Sequence, residues 1–174
     1  MGLAMFYGGL VQLLAGMWEV KLGNTFGATA FAAYGGFWMS FAALFVDAFG
    51  FMDSYKDADD INNCLGIYLF AWCIFSGLMT IAAHRTNLLL FTLLAVVWLT
   101  FLLLAISHFV AVDHPNSSMS LQQAGGVTGI IAAALAWYGM MAGLMTAKTS
   151  LVALPVYPMD PIWKSLGFLR DEQK

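Results

Sequence analysis

The stretch that decides the fold is GNTFGATAFAAYGGFW, residues 23–38, an apolar segment that opens on two polar residues. Asn24 is a good N-cap candidate, because its side-chain oxygen can accept a backbone N–H group of the first helical turn. A helix start also carries partial positive charge, so this one, with Lys21 close by, suits a small anion. Plain capping without any ligand is the alternative, and the pattern leaves both open.

Helical geometry separates the polar side chains of this stretch into two groups. Thr25 and Thr29 are four residues apart and share one face. Tyr34 lies about 140° around the helix from Thr29. We therefore expect a hydroxylic face and a separate aromatic face, the latter made of Gly27, Phe31, Tyr34 and Trp38.

Composition places the whole chain in a membrane. Of its 174 residues, 61% are hydrophobic and 10% are charged, with a mean hydropathy of +0.79. Soluble domains are about half apolar and about a quarter charged. One helical membrane bundle is therefore predicted. The net charge of −3 gives no reason to expect nucleic acid as a partner.

Five apolar runs predict five transmembrane helices, each near or above the roughly 20 residues needed to cross a bilayer. They are too long for barrel strands and lack alternation at every second residue. A cleaved signal peptide competes for the first run, which lacks the basic start and small-residue cleavage site of such peptides. The runs cover residues 2–18, 24–46, 64–83, 88–110 and 126–147, and a tail of residues 148–174 follows.

The charged residues between the runs predict the orientation. With five spans, six of the seven basic residues fall on one side, and Lys56 lies on the other side with six aspartates. The positive-inside rule then places the tail in the cytoplasm. An odd number of spans leaves Met1 outside, which suggests that one more helix is needed before it. The six basic residues are Lys21, Arg85, Lys148, Lys164, Arg170 and Lys174.

Small residues recur at intervals of four, a spacing that lets helix backbones approach closely in lipid. Packing within one subunit and an interface between subunits both remain open as explanations. The residues are Gly23 and Gly27; Gly125, Gly129 and Ala133; and Gly139 and Gly143.

The reactive side chains form no pattern typical of an enzyme or a metal site. Cys64 and Cys73 are nine residues apart, about 180° around a helix, so they cannot pair with each other. The three histidines lie in loops or at a helix end, without a set of metal ligands around them. We therefore expect no metal, no cofactor and no catalytic activity.

Several motifs together resemble one family, the acetate uptake transporters, also called acetate–succinate permeases. The most distinctive part is FYGGLVQLLAGMWEVKLGNTFGATAFAAYGGFW, residues 6–38, which includes Glu19 and the Tyr34-Gly-x-Phe-Trp motif. LGIYLFAW, LLLAIS and LPV follow in the expected order. The resemblance covers nearly the whole chain.

This resemblance implies six transmembrane helices with cytoplasmic termini, a homo-hexamer, and a small-anion pathway through each protomer. Members pass acetate and in some cases succinate or related monocarboxylates, and proton coupling is argued for many. The family's constriction has a tyrosine that matches Tyr34. Its aliphatic partner aligns with Val97, where leucine is common, and a phenylalanine of the family's first helix completes it.

The chain departs from the family pattern at its start. The family's first helix carries an Asn-Pro-Ala-Pro-Leu-Gly signature, which this sequence does not contain. The resemblance therefore predicts a member that lacks the first helix, in agreement with the charge pattern.

Two hypotheses about function follow. The first is a channel-like or proton-linked plasma-membrane permease for acetate and other small monocarboxylates, including succinate. Its pathway would begin around Glu19, Lys21, Asn24, Thr25 and Thr29 and narrow at Tyr34 and Val97. The second hypothesis is a transport-inactive truncated membrane protein or an assembly subunit.

Overall fold

The computed structural model describes residues 1–146, 148–160 and 164, and every regular element among them is helical. A π-helical segment, Leu3–Val11, leads into helix α1. Short 3₁₀ turns lie at Asp47–Phe49, Met52–Ser54 and Ala83–Arg85. The helices are α1 (Gln12–Lys21), α2 (Thr25–Leu44), α3 (Ala58–Ala82), α4 (Leu88–Phe109) and α5 (Pro115–Leu144). The prediction of an all-helical membrane fold is confirmed.

Four helical segments of the described chain are long and apolar enough to cross a membrane: Leu3–Lys21, Ala58–Arg85, Leu88–Phe109 and Pro115–Leu144. Helix α2, the second predicted span, has 20 residues but is not among them. Its glycines, threonines, serine and tyrosine lower its hydropathy. Six of its residues are nevertheless buried by packing inside the protein.

Two helices begin before the apolar runs that predicted them. Helix α3 begins at Ala58 rather than at residue 64, because Asp59 and Asp60 suit the positive end of a helix. Helix α5 begins at Pro115 rather than at residue 126, since proline is well suited to a first helical turn. The predicted end of the last span, Ala147, and residues 161–163 and 165–174 of the tail lie outside the described residues.

The chain divides into two compact units, Met1–Ile61 and Asn62–Lys174. In the first unit, α1 and its π-helical segment pack against α2 through glycines. A Cβ atom on Gly16 would lie 2.5 Å from the backbone nitrogen of Ala32, and one on Gly35 would lie 2.6 Å from that of Leu13. The two backbones therefore touch, as small residues allow in membrane helices.

In the second unit, α4 lies against both α3 and α5. Trp98 and Phe109 of α4 cover Gly77 and Gly66 of α3, where an added Cβ atom would lie 3.2 Å and 2.6 Å from the rings. On the α5 side, Thr100 donates a hydrogen bond of 2.9 Å to the Thr128 hydroxyl. Such bonds between membrane helices are worth about 0.6–2 kcal/mol.

The small-residue stripes of α5 and α2 have different roles. Gly125 and Gly129 face Leu104 and Thr100 of α4, which confirms packing within the subunit for that stripe. The expectation of a packing stripe at Gly23 and Gly27 is wrong. Gly23 forms the turn between α1 and α2, and Gly27 lies against the side chains of Asn24 and Glu19 beside that turn. Cys64 and Cys73 are both thiols, without a disulfide, in the described part of the chain.

Candidate functional site

Helix α1 ends in a glycine turn that also leads directly into α2. Gly23 has a φ of +76°, in the left-handed region that favours glycine. Its N–H group donates to the Val20 carbonyl at 3.1 Å, and the Asn24 N–H group donates to the Glu19 carbonyl at 3.0 Å. This pair of bonds is the Schellman motif, which satisfies the last carbonyls of a helix.

The Asn24 side chain connects the end of α1 to the start of α2. Its Oδ1 atom accepts the Gly27 N–H group at 3.0 Å, so the predicted N-cap is confirmed. Its Nδ2 group donates to Glu19 Oε2 at 2.6 Å. Because each end of the amide has a partner, the side chain has one preferred orientation. We call Glu19, Gly23, Asn24 and Gly27 the junction.

Gly27 provides the space that the junction needs. A Cβ atom there would lie 2.5 Å from Asn24 Nδ2 and 3.1 Å from Glu19 Oε2. Any other residue at this position would therefore push the amide and the carboxylate apart. The contact between Glu19 and Asn24 was not predicted. A carboxylate and an amide flanking a Leu-Gly turn could have suggested it.

The other polar residues near the junction make their contacts with residues outside it. The Lys21 ammonium lies over the Trp18 ring, with Nζ 4.9 Å from the ring centroid. Thr29 Oγ1 donates to the Thr25 carbonyl at 2.9 Å, as their predicted shared face requires. The charged group in contact with the α2 cap is thus the Glu19 carboxylate. Attraction of an anion by Lys21, Asn24 and Thr25 stays a prediction.

Tyr34 lies on the side of α2 next to the face that packs on α1. Gly35 touches the α1 backbone, and Tyr34 itself is half-buried. Phe31 and Trp38, one turn away on either side, are 41% and 39% exposed. The predicted aromatic face is therefore partly open along the middle of α2.

Val97 lies in the second unit, on α4, and is half-buried. It precedes Trp98, which covers α3, and Thr100, which bonds to α5. Tyr34 belongs to the first unit, so a neck formed by Tyr34 and Val97 together stays a prediction.

A further polar contact that the sequence did not predict joins two helices of the second unit. His108 Nδ1 lies 2.9 Å from Asn62 Oδ1, joining the last turn of α4 to the early part of α3. Within the described residues, no group of three or more His, Cys, Asp or Glu side chains is placed to hold a metal ion.

The long apolar helices, together with the packing of α1 against α2 through glycines, are typical of an integral membrane protein. The chain belongs to the GPR1/FUN34/yaaH family, whose model matches residues 1–161. The resemblance predicted from the motifs is thereby confirmed.

Several known proteins are similar over most of the chain. Ammonia transport outward protein 2 of Saccharomyces cerevisiae is 43% identical, with 87% of this chain and 52% of the relative covered. Acetate permease A of Emericella nidulans is 38% identical, with 91% and 56% covered. The solved structure of the bacterial acetate channel SatP matches with a TM-score of 0.76 and 31% identity, covering 89% of this chain and 80% of that one. The chain spans about half the length of these fungal relatives.

The junction leads to one prediction about stability. Changing Asn24 to alanine removes the cap and leaves the Glu19 carboxylate without its amide donor. We expect the free energy of unfolding to fall by about 1 kcal/mol, which lowers the melting temperature by about 2–4 °C. Thermal unfolding in detergent measures it. Glu19→Gln is the control, since its amide oxygen can still accept from Asn24. If the Asn24→Ala variant has the same melting temperature as the native protein, the Asn24 cap does not stabilise the fold.

Proposed function

We propose that this chain is a membrane permease for acetate and other small monocarboxylates. The observation that carries the proposal is the fold match to an acetate channel over 89% of the chain, at 31% identity. Similarity to an acetate permease points to the same substrate class. The channel-like and proton-linked modes both belong to the proposal.

The proposed pathway runs from the junction to Tyr34. Glu19, Lys21, Asn24, Thr25 and Thr29 give the start of α2 its polar character. Tyr34 supports a neck, because a phenol offers both a flat apolar wall and one hydroxyl donor. Removing a carboxylate from water is costly unless it is paired, so such a donor favours passage of small acids. Val97 is proposed as the aliphatic partner.

The charge at the junction bears on the ionic form of the substrate. Glu19 places a carboxylate at the start of α2, where it opposes entry of a second negative charge. Acetate that has taken up a proton is neutral acetic acid and avoids this repulsion. We therefore propose proton-linked transport, in which acetate passes more readily than the succinate dianion.

The surroundings of the permease are part of the same proposal. Exposed apolar side chains, such as Leu3 at 81% and Ile130 at 72%, suit lipid or neighbouring subunits. We propose a homo-hexamer in the plasma membrane with a cytoplasmic tail. The charge asymmetry between loops supports this orientation.

Movement of ammonium or ammonia is a second candidate, favoured by the 43% identity to a protein named for outward ammonia transport. Uptake measured in cells that lack their own acetate carriers separates the two. We expect the chain to increase uptake of labelled acetate and not that of labelled methylammonium. The reverse result favours the second candidate. If neither rises although the protein reaches the membrane, the chain is transport-inactive or an assembly subunit.

A further inference from the structure

Residues 154–160 lie across the start of helix α4 in the second unit. Asn87 and Pro158 form an antiparallel bridge. On either side of it, the Leu88 N–H group donates to the Tyr157 carbonyl at 2.8 Å, and the Met159 N–H group donates to the Thr86 carbonyl at 3.1 Å. We call residues 154–160 the strap.

The strap supplies hydrogen-bond acceptors that α4 lacks. The first N–H groups of any helix have no partner within the helix. Here Leu88 donates to Tyr157, and Leu89 makes a longer contact of 3.5 Å with the Val156 carbonyl. Leu90 donates to Asn87 Oδ1 at 2.8 Å. Two of these three partners come from the strap, about 70 residues away along the chain.

Burial of Met159 and two side-chain contacts hold the strap in place. Met159 is only 5% exposed. The Tyr138 hydroxyl of α5 donates to the Pro155 carbonyl at 2.9 Å. Arg85 and Asp160 form an ion pair of 3.2 Å, but both side chains are about half exposed, so this pair contributes little. The main attachments are therefore Met159 and the backbone bonds.

The backbone of the strap shows that these contacts hold it in a defined shape. Tyr157 has a φ of +51°, in the left-handed region that residues other than glycine rarely adopt. Such a conformation persists where surrounding contacts determine it. The carbonyls of Val156 and Tyr157, on either side of this bend, are the ones that meet α4.

We propose that the strap is a positioning element for α4, with Met159 as its main anchor. By capping α4 at the α3–α4 turn and bonding to α5, the strap sets the position of the helix that carries Val97. Its effect on transport rests on the proposed function. Release of the strap then lowers the maximal rate of acetate uptake and leaves the KM for acetate unchanged, because the proposed pathway residues do not include the strap.

The test compares Met159→Asp with the conservative Met159→Leu by amide hydrogen exchange and by acetate uptake. In Met159→Asp, we expect the Leu88 and Leu89 amides to exchange about tenfold faster or more. The maximal rate should fall several-fold, while the Met159→Leu protein behaves like the native one. Amides of α2, in the other unit, should keep their rates.

Three outcomes overturn the proposal. The first is faster exchange at residue 159, whose N–H group donates to the Thr86 carbonyl, with unchanged exchange at Leu88 and Leu89. The second is faster exchange at all three positions with unchanged uptake, and the third is a change in KM alone. If Met159→Asp does not fold, Tyr138→Phe replaces it, since this change removes only the hydrogen bond to Pro155. It must then produce smaller changes of the same sign in the exchange of Leu88 and Leu89 and in the maximal rate of uptake. Absence of uptake by the native chain counts against the proposed function, whereas the exchange results still decide the capping role.

Discussion

Replacing Gly35 by alanine should destabilise the protein strongly, whereas the same change at Gly36 should not. A Cβ atom on Gly35 would lie 2.6 Å from the Leu13 backbone nitrogen and 2.9 Å from both Leu13 Cα and the Gly9 carbonyl oxygen. All of these are backbone atoms, so no rotamer change can relieve the clash. Helices α1 and α2 must move apart, at a cost of about 1–3 kcal/mol for overpacking.

Gly36 is the matched control for this prediction. No heavy atom lies within 4 Å of a Cβ atom built there. An alanine at that position should be neutral or stabilise α2 by about 0.5–1 kcal/mol, since glycine is unfavourable inside a helix. Thermal unfolding in detergent, with size-exclusion profiles, measures both variants. Equal melting temperatures for Gly35→Ala and Gly36→Ala would contradict close packing of α1 on α2.

The second large effect concerns Tyr34 and the selectivity of transport. Tyr34→Ala removes both the ring and the hydroxyl from the middle of α2, on a face that is partly open. We expect a wider passage, so uptake of labelled lactate should rise relative to labelled acetate. If Tyr34 forms the proposed neck, the wider passage should also discriminate less between solutes of different size.

Tyr34→Phe separates the two contributions of the side chain. If the hydroxyl donates to the passing carboxylate, its loss costs about 1.5–3 kcal/mol, or about tenfold or more in the acetate rate. The ring remains, so the ratio of lactate to acetate should stay near the native value. If the rate of acetate uptake and the ratio of lactate to acetate are unaltered in both variants, Tyr34 does not line the pathway.

Local signals allowed parts of the fold and the site to be predicted. The cap at Asn24 could be recognised because an N-cap depends on residues within one turn. The spacing of Gly125 and Gly129 predicted close helix packing but left open whether the partner helix belonged to the same subunit. The start of α5 was missed because its first turns, after Pro115, are polar and resemble a loop.

Features that depend on residues far apart in the sequence, or on exact atomic positions, could not be predicted. The bond between Glu19 and Asn24 depends on the left-handed turn at Gly23, which places the two side chains together. The strap joins residues about 70 positions apart, and no local pattern indicates that pairing. The role of Gly27 follows only from atomic positions, since its spacing from Gly23 is equally typical of helix packing.

The most direct test of the central claim is acetate flux through the purified chain in liposomes. Purified protein is reconstituted, and entry of labelled acetate is followed with and without an inward proton gradient. We predict saturable entry well above that of protein-free vesicles, faster with the gradient and reduced by competing propionate. Entry equal to that of protein-free vesicles, from protein shown to be folded in the bilayer, would contradict the claim that this chain is an acetate permease.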